Sequence, residues 1–101
     1  VTKLVSDEVD PIAPVRIRHQ VDEIVADSGA LEEHYNFIDY DFEQPGAYMR
    51  ARTYLDEIKS VTVYGPFDKP HSIVAVNAPE LEHAVLQYLK RRFRRVKRMG
   101  G

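Results

Sequence analysis

Seven cations crowd nine residues near the end of this chain: Lys90, Arg91, Arg92, Arg94, Arg95, Lys97 and Arg98. Clustered Lys and Arg neutralise phosphates and release their counterions, which gives affinity without sequence preference. The first expectation is therefore a polyanion contact, most naturally the backbone of a nucleic acid. Four other accounts of the same charge compete with it. The segment could be a solvated end, or be neutralised by the protein's own acidic surface, within one chain or between two. It could also meet an acidic membrane or an acidic protein partner.

A second group is acidic. Asp39, Asp41 and Glu43 share one side of a strand by period two, and such carboxylates can hold Mg²⁺ for phosphodiester cleavage. The plain alternative is a solvated strand face or edge protection. His19, His34, His71 and His83 show no ligand spacing. Glu80 and His83 match half of a carboxylate di-metal motif, but a second copy is missing. Ser6, Ser28, Ser60 and Ser72 lack a nucleophile elbow or a paired lysine, and neither a P-loop nor a GxGxxG is present. With no cysteine, a disulfide framework, a thiolate zinc site and thiol catalysis are excluded. These absences favour a binding protein without catalysis or cofactor, and show no small-molecule substrate. A metal-dependent nuclease is the enzymatic rival.

At 101 residues the chain suits one core, and its 44% apolar content is that of a folded protein. No apolar run reaches the roughly 20 residues needed to span a bilayer. Val1 to Pro14 lacks the cationic start and apolar centre of a secretory signal, so a cytoplasmic location is expected by default. The net charge of -2 hides a division: residues 1–89 carry -9 and the last twelve carry +7. Such asymmetry bears on partners. In particular, the acidic body of one subunit could receive the basic segment of another, giving a dimer.

These residues need elements to position them. Residues 1–14, with Asp7, Glu8, Asp10 and two prolines, are expected to be a flexible acidic arm, and 15–101 one α+β domain. The alternation in "VRIRHQV" from Val15 predicts a strand with Arg16, Arg18 and Gln20 on the side opposite Ile17, His19 and Val21. Asp27-Ser28-Gly29 signals the turn of a long hairpin returning through "YNFIDYDF", Tyr35 to Phe42. The alternative makes residues 22–33 a short helix.

Pro45 can open a helix, and Tyr48, Ala51, Leu55 and Ile58 then lie on one helical face. "SVTVYG" from Ser60 and "HSIVAVN" from His71 read as a second hairpin. Asn77 and Glu80 form a capping box, with Pro79 in the first turn, for a last helix whose stripe runs Leu81, Val85, Leu89, Phe93 and Val96. The expected fold is thus ββαββα: a single two-layer domain with a four-stranded antiparallel sheet, two helices on one face and a long basic C-terminal helix. Aspartates on the aromatic strand would repel phosphates, so the helix is the expected nucleic-acid contact.

The order of the first five elements and the terminal Gly100-Gly101 resemble ubiquitin-like β-grasp proteins, which implies a carrier tail for adenylation. The expected basic helix stands where that family has a short tail.

Overall fold

A computed structural model describes residues 10–25, 27–29 and 31–99, with the backbone alone described at 24 and 31–34. The expected acidic residues Asp7 and Glu8 and the terminal Gly100-Gly101 lie outside the described residues. The chain runs β1 (Arg16–Val25), β2 (Leu31–Gln44), β3 (Ala47–Tyr54), a 3-10 turn (Leu55–Glu57), β4 (Ser60–Phe67), α1 (Pro79–Lys90) and β5 (Arg95–Arg98). One five-stranded sheet has the order β1-β2-β3-β4-β5. Its first three pairs are antiparallel and β4–β5 is parallel.

This overturns the expected ββαββα fold, with its four antiparallel strands and two helices, and the β-grasp order with it. The α+β class stands, with a mixed sheet and one α-helix among the described residues. The first hairpin forms as a hairpin: Asp27, Ser28 and Gly29 turn the chain, and Gly29 takes φ +90°.

The first error begins at Pro45. Gln44 pairs with Ala47, so Pro45-Gly46 is a two-residue hairpin loop, and Gly46 sits at φ +78°. Proline followed by a positive-φ glycine is the chemistry of a type II turn, not of a helix start. Beyond it, Ala47, Met49, Ala51 and Thr53 are buried on one side while Arg50, Arg52 and Tyr54 turn to the other. Leu55 and Ile58, expected in a helical stripe, are exposed in the connection to β4.

A β-bulge interrupts β3–β4 between Tyr48 and Arg50. There Gly65, at φ +105°, passes so close that a Cβ would lie 3.0 Å from the Tyr48 carbonyl oxygen. The expected strand from His71 is instead a loop that touches the end of β4 through one bridge, Phe67 to Ala75. Ile73 within it is 92% exposed.

The helix starts as expected at Pro79, but Ala78 is its N-cap and no side chain caps it, so the Asn77–Glu80 box does not form. It ends at Lys90, well short of the expected basic helix. Like charges at i, i+4 would stack along its continuation, as for Lys90–Arg94 and Arg94–Arg98. The chain instead turns, and the Lys59 carbonyl accepts from the N–H groups of Arg94 and Arg95 at 2.9 and 3.0 Å. As β5, residues 95–98 alternate: Val96 packs against the core and Arg98 pairs with Glu82 of α1, which leaves Arg95 and Lys97 to the other side.

The core lies between α1 and the sheet. Leu81, Val85, Tyr88 and Leu89 meet Phe42, Met49, Ala51, Val61 and Val63, with Phe93 and Val96 at its margin. Burying such side chains contributes about 1.5–3 kcal/mol each before conformational entropy is counted. Residues 10–14 are tied to this body, since Ile12 packs against the core and Asp10 pairs with Arg91 and Arg92. β2 meets β3 only from Phe37 onward, so its first residues continue with β1 alone as a two-stranded arm. No Lys or Arg occurs between Arg18 and Arg50, so the arm is acidic. No described helix is long and apolar enough to cross a membrane.

Candidate functional site

Alternation sends the second residue of each strand pair to the side of the sheet away from α1. Cross-strand register then builds two rows on that open face. One runs Arg18, Asp39, Arg52, Thr62, Lys97; the other runs Arg16, Asp41, Arg50, Tyr64. Five cations and two carboxylates leave the rows with a net charge of +3.

The two carboxylates are not surface charges. Asp39 and Asp41 are each 1% exposed, as buried as the core. Asp39 accepts from Arg52 Nε and Nη2 at 2.7 and 3.0 Å and from Gln20 Nε2 at 3.3 Å. Asp41 accepts from Arg16 Nε at 2.9 Å, from Arg18 Nε and Nη2 at 3.0 and 3.1 Å, and from the Tyr48 hydroxyl at 2.6 Å. Arg18 also reaches Asp39 at 3.6 Å, joining the two clusters. Burial alone would push the Asp41 carboxyl up. The hydrogen bonds from Tyr48, Arg18 and Arg16 outweigh burial and hold it below the ordinary carboxylate value. Burial and the same hydrogen bond push the Tyr48 hydroxyl up.

The guanidinium groups lie above this layer, with side-chain exposures of 49% for Arg16, 33% for Arg18 and 23% for Arg52. Aromatic rings stand among them. Arg52 lies 3.9 Å from the centroid of Phe37 and Arg50 lies 4.5 Å from that of Tyr64. Arg50 has no ion pair among the described residues, and its Nε is buried without a hydrogen-bond partner. Asp39 and Asp41, expected to repel phosphates, thus lie buried beneath the arginines that pair with them.

The seven cations expected from the sequence do not share one surface. Lys90 ends α1. Arg91 and Arg92 clasp Asp10 at 3.2 and 2.7 Å, and Arg92 also lies 3.7 Å over the Tyr88 ring. The Arg92 hydrogen bond holds Asp10 below the ordinary carboxylate value. Arg98 pairs with Glu82 on the helix side, while Arg95 and Lys97 join the open face. Among the described residues Lys90, Arg94, Arg95 and Lys97 have no ion pair.

Sequence reasoning missed Arg16, Arg18, Arg50 and Arg52 as site residues. The signal was present as alternation in "RIRHQ" and "YMRARTY", matched by Asp39 and Asp41 on the strand between. No group of three or more His, Cys, Asp or Glu that could hold a metal ion occurs among the described residues. His19 contacts the Asn36 side chain instead, and His83 is exposed on α1. No protein-family model matches the chain, and neither a curated protein nor a solved structure matches it.

Proposed function

We propose that this domain is a non-catalytic binder that holds a polyanion, the backbone of a single-stranded nucleic acid, against the open face of its sheet. Arg16, Arg18, Arg50, Arg52, Arg95 and Lys97 are the contacts on that face. Lys90 and Arg94 extend the positive field at the β5 margin, with Arg91 beside them. The observation that carries the reading is the layering of arginine over buried aspartate. Asp39 and Asp41 fix the guanidinium groups in place, and the rows still keep a surplus of positive charge.

Four inter-strand steps of about 4.8 Å put Lys97 and Arg18 roughly 19 Å apart, the reach of several successive phosphates. Tyr64 and Tyr54 supply π-faces beside the cations, as sequence-tolerant stacking on a single strand requires. A Mg²⁺-dependent cleavage mechanism has less support, since the acceptor sites of Asp39 and Asp41 are taken up by arginine and Tyr48.

The test is anisotropy of labelled single-stranded and duplex oligonucleotides from about 50 to 200 mM salt, where the slope reads neutralised phosphates. With the six contacts on that face, the single strand should show a log-log slope near -4, at roughly 0.7 per phosphate. Lys97→Ala and Arg50→Ala should each flatten it by about 0.7 and weaken all sequences alike. Absence of binding at the lowest salt contradicts the reading, and shortening of the oligonucleotide in Mg²⁺ would establish the nuclease instead.

A further inference from the structure

Among the described residues nothing covers the outer edge of β1, which is long. β1 is the first strand of the sheet order, has ten residues, and contains no proline. α1 lies over β2 to β5, so it does not shelter the apolar residues that β1 turns to that side. Ile17, Val21 and Val25 are 58%, 47% and 54% exposed. In an antiparallel pair every second residue directs its N–H and C=O away from its partner, so β1 from Arg16 to Asp22 directs a row of backbone groups outward, where no described strand lies. Natural edges are guarded by proline, bulges, short length, a covering element or charged side chains. The charges on β1 are of both signs, Arg16 and Arg18 at its start and Asp22 and Glu23 at its end, so they can pair across the edge as well as repel. The bulge in β1–β2 lies at Ile24/Val25, near the tip of the arm, and leaves Arg16 to Glu23 regular.

We infer that this edge is a self-association surface, at which β1 pairs antiparallel with β1 of a second copy. The choice of a second copy rests on the strand's own complementarity. Opposed residues in an antiparallel pair face the same side, so a two-fold axis through the pair must centre on a residue. Centred on His19, it sets Ile17 against Val21 of the second copy and Arg16 against Asp22 of the second copy, each twice. Arg18 then faces Gln20. Centred on Gln20, the axis keeps Arg18 against Asp22 but puts Ile17 against Glu23; centred on Val21, it keeps Ile17 against Val25 but puts Arg18 against Ile24. Within β1 the His19 register alone among these opposes both an apolar pair and an arginine–carboxylate pair. Both sets come from one strand, basic at its start and acidic at its end.

A two-fold axis perpendicular to the sheet keeps both open faces on the same side. The pair would form a continuous ten-stranded sheet in which the arginine rows of the two copies face one way. On the proposed polyanion reading, which this consequence alone requires, the dimer presents a doubled binding surface. The association is independent of nucleic acid and is tested without it.

The experiment is sedimentation velocity of the whole chain from about 5 to 200 µM, a range suited to a small interface. A concentration-dependent dimer is expected. Because the chain has no cysteine, His19→Cys supplies a single thiol pair at the axis. A short bis-maleimide should join it into a covalent dimer, whereas Ile73→Cys, on a remote exposed loop, should remain monomeric under the same treatment. Val21→Lys should shift the protein to monomer at least tenfold in dissociation constant without lowering its unfolding midpoint. A wild-type monomer throughout the range overturns the inference. So does a dimer that persists in Val21→Lys or fails to cross-link through His19→Cys, since another surface would then hold it. Failure here leaves the anisotropy result untouched, and the reverse also holds.

Discussion

The two sides of the sheet use the same strands and alternate residues, yet they are held by different physics. On the α1 side Phe42, Met49, Val61 and Val63 exclude water by packing. On the open side Asp39 and Asp41 are equally buried, but arginines cover them and hydrogen bonds compensate their desolvation. A buried ion pair adds little net stability relative to an apolar pair, though breaking one by removing a partner is costly. The open side therefore orients charge more than it stabilises the fold, whereas the covered side stabilises it.

The comparison breaks most visibly on the covered side. Phe42→Ala should cost about 3–5 kcal/mol, since it empties fully buried space under Tyr88. The denaturant midpoint should fall accordingly while binding by the remaining folded protein persists. Asp41→Asn should cost less, about 1–3 kcal/mol, because water can reach the released Arg16 and Arg18. Its more specific mark is pH dependence. The folded carboxyl lies below its unfolded value, so its contribution is present above roughly pH 4 and is lost as pH falls through the folded value. Acid titration of stability should be shallower in Asp41→Asn than in the wild type.

Phe93→Ala sits at the core's margin, against Tyr40, and should cost about 1–2 kcal/mol, below the 3 or more expected of full burial. Equilibrium unfolding distinguishes these. Ile73→Ser, on the most exposed apolar side chain of the loop before α1, should stay within about 0.5 kcal/mol of the wild type.

The parts of this fold that were legible in the sequence are those whose period had no competitor. "VRIRHQV" alternates cleanly, and Leu81, Val85 and Leu89 form a helical stripe that the structure buries. Between Ala47 and Ile58 two periods fit at once. The 3.6 spacing of Tyr48, Ala51 and Leu55 competed with the alternation of Ala47, Met49, Ala51 and Thr53, and Pro45-Gly46 decides for the strand once read as a turn. β5 gave no local signal, having one apolar residue among four, and its pairing with β4 is set through a whole helix of intervening chain. The cation cluster was visible, but its division among Asp10, Glu82 and the open face depends on tertiary contacts. The buried aspartates were visible as a D-x-D pattern. That arginines on both flanking strands would cover them required the register.

The most direct test of the layered face is an NMR titration of the whole chain with a short single-stranded oligonucleotide, observing backbone amides and arginine Nε–H signals together. Shifts concentrated at Arg16, Arg18, Arg50, Arg52, Thr62, Tyr64, Arg95 and Lys97, with α1 before Lys90 and the tip of the β1–β2 arm unmoved, are the predicted result. Shifts confined to Lys90–Arg94, or none at all at low salt, would contradict it and leave the arginine layer a purely structural device.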